Sequence, residues 1–382
     1  MGAAAICNDM QQDRRWYDPA DILALDATYN LIYGERGNGK TFAICRLILQ
    51  AYFDENLPSA YIRRLDEMIK QGNLETLFSD PAHLKYIEDR SGGEYNYVKY
   101  QFHGFYLQKR DLNTNAILKK DPNPFCRTYA ISTNENTKGA DRGRVKYVFF
   151  DEFITRQFYL TNEVVLFENL LETIIRKRPG VKIFMVANTV NKHCVYFQHM
   201  GLTNVRKQKK GTIDQYILGK MQTKIACEYT LDNDQGASEI AEQYYCFNNP
   251  QAEMIKNGSW EFDLYRLFPI GIGKMSPELT FYIEFDDVVT VGRIYIFNDD
   301  PILCFSQKRN TPIKNRETTI IYGDNVSSTS PLHQMDLART PTRAQELILE
   351  LFKQHKTYFA NNDVGENVAN WLKYATKGGL KV

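Results

Sequence analysis

Along residues 1–230, short apolar runs of strand type alternate with stretches whose apolar residues recur at helical spacing. NLIY (30–33) predicts a strand, and Phe42, Ile44, Leu47, Ile48 and Ala51 then fall on one helical face. AYIRR (60–64) reads as the next strand. SGGEYNYVKYQFHGFYLQKRDLNTNAIL (91–118) predicts a hairpin whose loop carries Asp111 and Asn113. RTYAIS (127–132) and VKYVFFDEF (145–153) follow as strands. NEVVLFENLLETIIRKRPG (162–180) has helical spacing and should stop at Pro179-Gly180; VKIFMVAN (181–188) is strand-like again. Such alternation predicts an α/β fold, a largely parallel sheet with flanking helices.

The pattern changes near residue 230. LDNDQGASEIAEQ and NNPQAEMIKNGSWEF are polar and turn-rich, which suits a linker or small lid over 231–270. Three strand-like runs, ELTFYIEF, VGRIYIFND and PILCFSQK, then suggest a meander. A helix, PTRAQELILELFKQ, is expected later, with Thr340 as its N-cap. The chain therefore divides into a domain over 1–230, the linker, and a smaller α+β domain over 271–382; a length of 382 residues fits two domains.

Composition narrows the function classes. No run of 18 apolar residues occurs, so no membrane span is expected. The opening MGAAAICNDMQQDRR lacks a signal peptide's pattern, and Ile6 stands where a myristoylation signal carries Ser or Thr. Seven scattered cysteines without a C-x-x-C pair read as reduced thiols in a cytoplasm, not as a zinc site. A net charge of +1 leaves nucleic-acid contact to local patches: Arg63-Arg64, Lys109-Arg110, Lys119-Lys120, residues 138–146 and RKQKK (206–210). Each patch alone is more simply a solvated loop.

The specific chemistry begins at Gly34-Glu35-Arg36-Gly37-Asn38-Gly39-Lys40-Thr41, which fits G-x-x-x-x-G-K-[ST] in full between a strand and a helix. Glycines let backbone N–H groups converge on phosphate, and the helix N-terminus adds its dipole. Lys40 is placed for the β- and γ-phosphates and Thr41 for Mg²⁺. YVFFDE supplies the second half: Asp151 to order the metal through water, Glu152 to polarise a hydrolytic water. NKHC (191–194) has Cys194 where a guanine reader needs a carboxylate, so ATP is favoured over GTP. Asn188, at the end of the next strand, is a candidate γ-phosphate sensor or an ordinary turn residue. Arg176 and Arg178 close the 162–180 helix; they either compensate its dipole or offer an arginine finger to a neighbour.

The order of these motifs resembles the DNA-packaging ATPases of phi29-like bacteriophages. WYDPADILAL precedes the loop, Arg36 stands inside it, and YIRR makes the next strand. Lys138 lies thirteen residues before Asp151, FFDEF follows, then an N-E-V segment, a helix ending ETIIRKR, and a strand ending in Ala187-Asn188 with Tyr196-Phe197 beyond. The resemblance covers residues 16–200; beyond that only strand pattern matches. It implies a P-loop ATPase of the additional-strand, catalytic-glutamate type, followed by a vestigial RNase H-like domain. ATP and Mg²⁺ would be bound, with Glu152 catalytic, Arg176 a finger in trans, and Lys138 coupling neighbours to DNA. Partners would be double-stranded DNA, other copies in a homo-oligomeric ring (a pentamer), the capsid portal or connector, and a structural RNA. The protein would work in the host cytoplasm, docked on the procapsid, with no membrane. One departure is Asp66, where the family carries a pore-facing basic residue; Lys70 is then a substitute. Glu284, Asp286, Asp287, Asp324 and Asp363 are candidate remnants of nuclease carboxylates, or plain turn and edge charges. Rival functions are a helicase-like nucleic-acid ATPase and a P-loop switch controlling a partner interface.

Overall fold

A computed structural model of the chain describes residues 16–133, 143–155, 159–160, 162–188, 194–231, 265–285, 288–308, 312–323 and 330–376. The chain forms two compact units, Met1–Glu261 and Phe262–Val382.

The first unit is built on a ten-stranded sheet. Its strands are β1 (Tyr29–Gly34), β2 (Ser59–Arg63), β3 (Tyr97–Gln101), β4 (Gly104–Arg110), β5 (Ile117–Lys120), β6 (Cys126–Ala130), β7 (Tyr147–Asp151), β8 (Lys182–Asn188), β9 (Thr212–Leu218) and β10 (Thr223–Tyr229). The order is β3-β4-β6-β2-β7-β8-β1-β10-β9, with β5 paired to β4. The central run from β6 to β10 is parallel, and the edges are antiparallel. The parallel part is buried on both faces, which is why LIY (31–33) and VFF (148–150) are continuously apolar rather than alternating. Successive residues face opposite ways: Leu31 and Phe150 join one core with Phe167 and Tyr196, while Ile32 and Phe149 join another with Ile44 and Ile48. The helices that cover the sheet include α1 (Lys40–Glu55), α2 (Pro81–Arg90) and α3 (Glu163–Ile175).

Sequence expectations and structure differ in places. β9 and β10 extend the sheet where no strand was expected. The 162–180 helix stops at Ile175, because Arg176 and Lys177 adopt left-handed conformations (φ 46° and 58°) that turn the chain toward β8. Pro179 disfavours helix at the residue before it, so the stop falls short of the proline itself. The 145–153 strand ends at Asp151, since Glu152 has φ 60°. Residues 232–264, most of the expected linker, lie outside the described residues.

The second unit has a six-stranded sheet of β11 (Leu279–Phe285), β12 (Val288–Phe297), β13 (Asp300–Gln307), β14 (Ile321–Gly323), β15 (His333–Gln334) and β16 (Thr357–Phe359), in the order β15-β14-β11-β12-β13-β16. The meander expected from the sequence is β11-β12-β13; β12 runs against both neighbours, and the remaining pairings are parallel. Helices α4 (Arg343–Lys353) and α5 (Asn362–Ala375) bury Ile348, Leu351, Phe352, Val368, Trp371 and Leu372 against Phe281, Phe305 and Tyr322. Thr342, not Thr340, caps α4, its hydroxyl accepting from the Gln345 N–H.

Candidate phosphate and carboxylate site

β1 delivers the glycine loop and α1 leaves from it. Gly37 and Gly39 have φ of 85° and 88°, a region costly for residues with a Cβ. A Cβ on Gly34 would also lie 1.9 Å from Thr230 Oγ1. Lys40 opens α1 and is buried, its Nζ donating to the Glu35 carbonyl (2.5 Å) and Asn38 Oδ1 (2.9 Å). Asn38 in turn donates to Thr230 Oγ1 at 2.8 Å. Burial lowers the Lys40 ammonium to about 8, against the smaller opposing pull of Asp151, Glu35 and Glu228. Its close partners are thus neutral oxygens, so an anion at the loop would meet a desolvated cation. Arg36 is exposed, and the Glu35 carboxylate pairs with Lys210 at 3.2 Å.

Parallel pairing brings the other expected residues to the same sheet edge. Gly34 stands opposite Asn188 and Asp151 opposite Val186, so the ends of β1, β8 and β7 adjoin. Thr41 Oγ1 lies 3.5 Å from Asp151 Oδ1. Asp151 is buried and its carboxyl is pushed up by that burial, with Arg63 and the Tyr61 hydroxyl (2.9 Å from Oδ2) opposing. A hard cation bound by Thr41 and Asp151 through water suits this donor set of hydroxyl and carboxylate.

Arg63-Arg64, a candidate nucleic-acid patch or pair of solvated charges by sequence, is neither free nor on one side: Arg63 lies at the Asp151 and Glu152 carboxylates and Arg64 in the core. Arg63 donates to Asp151 Oδ2 at 3.3 Å and to Glu152 Oε2 at 2.6 Å, while its buried Nε has no partner among the described residues. Arg64 points to the other side of the strand, into the core. The available signal was position: two arginines at the end of the strand next to the one ending in Asp-Glu.

Arg176 is the residue that follows α3. α3 runs back from Glu163, whose carboxylate holds Arg64 beside Glu152, to the start of β8, about 20 Å for 13 residues. Arg176 therefore lies at the opposite sheet edge from Asn188 and Glu152, and it is the left-handed residue after the helix. Arg178 is tied to the Gly143 carbonyl. Lys138 lies outside the described residues. Lys70 is exposed, and Asp66 opens a 3₁₀ turn with its N–H on Ser132 Oγ.

In the second unit, the Glu284 carboxylate is held by the Arg316 guanidinium (Nη1 to Oε1, 2.6 Å). Asp286, Asp287 and Asp324 lie outside the described residues, as does the side chain of Asp363.

A family model described as Podovirus DNA encapsidation protein (Gp16) matches residues 11–217. Among curated proteins, the DNA packaging proteins of Bacillus phage B103 and Bacillus phage phi29 are 24% and 25% identical over 186 and 191 residues. These matches cover 47% and 49% of this chain and 50% of each relative, so the chain spans about half the length of the curated relatives it matches. A structure titled the Phi-28 gp11 DNA packaging motor superposes with a TM-score of 0.56 at 18% identity, covering 96% of this chain and 99% of that one. The bacteriophage Phi-29 viral genome packaging motor assembly also gives 0.56, at 15% identity over 94% and 99%. Both likenesses concern the fold.

Proposed function

We propose an ATP-driven DNA-packaging motor on one premise: the chain belongs to the Podovirus DNA encapsidation protein (Gp16) family. The observation that carries the reading is the approach of Thr41 Oγ1 to Asp151 Oδ1, with Lys40 and Glu152 flanking them. Two distant segments, 34–41 and 151–152, meet at the end of a parallel sheet, where P-loop enzymes hold nucleotide. The position of β8 between β1 and β7 supports the additional-strand, catalytic-glutamate subtype.

In this reading the loop N–H groups and Lys40 bind the phosphates of ATP, displacing Lys40 from Asn38 and the Glu35 carbonyl. Mg²⁺, held by Thr41 and Asp151, would neutralise charge on the transferred phosphoryl group. Asn188 faces the γ-phosphate from the end of β8. Glu152 takes the proton of the attacking water. The Arg63 guanidinium donates to Oε2 of that carboxylate, which orients the side chain, and the other oxygen is the one to take the proton.

The finer assignments belong to the same proposal. The domains are 1–230 and 271–382 with a linker between. The strand order β13-β12-β11-β14-β15, with β12 alone reversed, supports an RNase H-like second domain. Its vestigial character is supported by Arg316, which holds Glu284 where a metal would need a free carboxylate. The partners are double-stranded DNA, further copies in a pentameric ring, the portal and a structural RNA, at the procapsid in the host cytoplasm. Lys138 is assigned to DNA and subunit coupling, and Arg176 to a neighbour's ATP.

The test is ATP turnover by the full chain with and without double-stranded DNA. Turnover should rise on adding DNA, indifferent to sequence and falling with salt, and Lys40→Ala should abolish it in a folded protein. A DNA-independent rate would favour the switch, and unwinding of a forked duplex would favour the helicase.

A further inference from the structure

We propose that Arg64 is a positioning residue for Glu152: its guanidinium fixes the left-handed turn that aims the carboxylate at the nucleotide. The inference rests on reading Glu152 as the base.

Glu152 has φ 60°, a conformation that costs a side-chain-bearing residue about 1–2 kcal/mol. The surroundings must impose it. The Glu152 and Phe153 N–H groups both donate to the Val186 carbonyl, at 2.8 and 3.3 Å. Their carbonyls are held from the other side, where Arg64 Nη1 donates to Glu152 O at 3.1 Å and Nη2 to Phe153 O at 2.8 Å. The remaining arm of the fork, Nε, reaches both oxygens of Glu163 at 3.0 and 2.8 Å. Glu163 is itself fixed by the Tyr196 hydroxyl (2.9 Å) and the Leu160 N–H (2.7 Å). The Arg64 and Glu163 side chains are 3% and 1% exposed, so the network is desolvated, and each of the three guanidinium nitrogens has an acceptor.

A buried ion pair is often no better for stability than apolar residues of the same volume. Stability thus gives little reason for this one. What a guanidinium supplies, and a leucine or lysine cannot, is a planar fork reaching a carboxylate and two successive carbonyls together. Those carbonyls belong to the proposed base and the residue after it. Arg63 and Arg64 then divide the work: one holds the Glu152 carboxylate, the other its backbone.

Arg64→Lys separates the roles, because lysine keeps the charge beside Glu163 but cannot span both carbonyls. In the full chain, Arg64→Lys should bind a fluorescent ATP analogue within about threefold of wild type and lose about 10²-fold in kcat, the effect of misplacing a reacting group by about 1 Å. In a Glu152→Gln background the same change should cost less than about threefold, since both variants remove one function. Undiminished kcat in folded Arg64→Lys, or an equal loss in both backgrounds, overturns the proposal. If Arg64→Lys does not fold, Glu163→Gln decides: it keeps the shape but removes the charge and one of the two oxygens that Nε reaches, which loosens the fork, and it should lower kcat about tenfold at unchanged affinity. Wild-type kcat in that variant overturns the proposal. No turnover by the wild-type chain sinks the hydrolytic reading, and this proposal with it.

Discussion

Glu228 should weaken the fold at neutral pH, and Glu228→Gln should remove that weakness. The residue lies on β10 opposite Ile32, and its Oε2 accepts from the Tyr17 hydroxyl at 2.6 Å. Burial pushes its carboxyl from an ordinary 4.5 up to about 7; the Tyr17 hydrogen bond and Lys40 oppose this, while Asp18 and Asp21 reinforce it. A carboxyl whose value is raised by folding binds its proton more tightly folded than unfolded. Its contribution is fully present below about 4.5 and lost as pH rises through about 7. The shift corresponds to about 3 kcal/mol at most. Loss of the Glu228 charge also takes a favourable neighbour from buried Lys40, and residual solvent contact screens the site, so about 2 kcal/mol is expected. Glutamine mimics the protonated acid and keeps an acceptor for Tyr17. Glu228→Gln should therefore match wild type near pH 4 and melt about 4–8 °C higher at pH 8. Thermal scans of both proteins across that range are the assay. A constant advantage at all pH values, or a lower melting temperature at pH 8, would refute the account of this carboxyl.

Lys40 titrates at about 8 without ligand and must be charged against phosphate, so nucleotide binding takes up a proton in alkaline solution. Affinity for ATP should be flat below pH 8 and fall up to about tenfold per unit above it, by titration calorimetry in buffers of different ionisation heat; a flat profile to pH 9.5 counts against the buried-lysine site. Glu152→Gln should bind ATP normally and lose about 10²–10⁴-fold in turnover, and normal hydrolysis would place the base elsewhere. Mixing Glu152→Gln with Arg176→Ala should restore part of the lost turnover if Arg176 acts on a neighbour's ATP, whereas mixed rings that stay inactive would leave it a chain-reversal residue. With Arg316 holding Glu284, the full chain should not cut DNA in Mn²⁺; cleavage that disappears on changing Glu284 would restore a nuclease.

The parts of the site legible in the sequence are those set by local backbone chemistry. Gly37 and Gly39 sit at positive φ, Lys40 opens a helix, and an apolar run ends at Asp151; each leaves a mark within a few neighbouring residues. The two arginines left only their position at a strand end, because their roles come from the pairing of β2 with β7, nearly ninety positions apart. A doublet of charges looks the same in a solvated loop and at a strand end. β9 and β10 escaped for a related reason: DQYILGKMQTK mixes polar residues into an edge hairpin, so no apolar run announces it. Thr340 and Thr342 both precede the helical pattern, and only the bond from the Gln345 N–H shows that Thr342 is the cap. Pro179 is the visible stop signal after α3, yet two non-glycine residues before it already leave helical geometry, and nothing in their side chains announces that.

The direction of α3 also sharpens what Arg176 can do. The helix starts at Glu163, which holds Arg64 and through it the Glu152 turn, and it ends about 20 Å away at the far sheet edge. An arginine side chain reaches about 7 Å, so Arg176 cannot serve the phosphates bound by its own loop. Lys40 and Arg36 belong to the loop itself, Lys210 is paired with Glu35, and Arg63 is engaged with the carboxylates. A hydrolysing transition state gains about 10³-fold or more from a further cation. Supplied by Arg176, that cation would have to come from another copy placed head to tail with this one. Arg178 is the poorer donor, since its guanidinium is bound to the Gly143 carbonyl of its own chain. The same rod that begins at one subunit's Glu152 turn would then end at its neighbour's phosphates. A hydrolytic site built that way would be complete only where two copies meet, so Glu152→Gln and Arg176→Ala should complement each other when mixed.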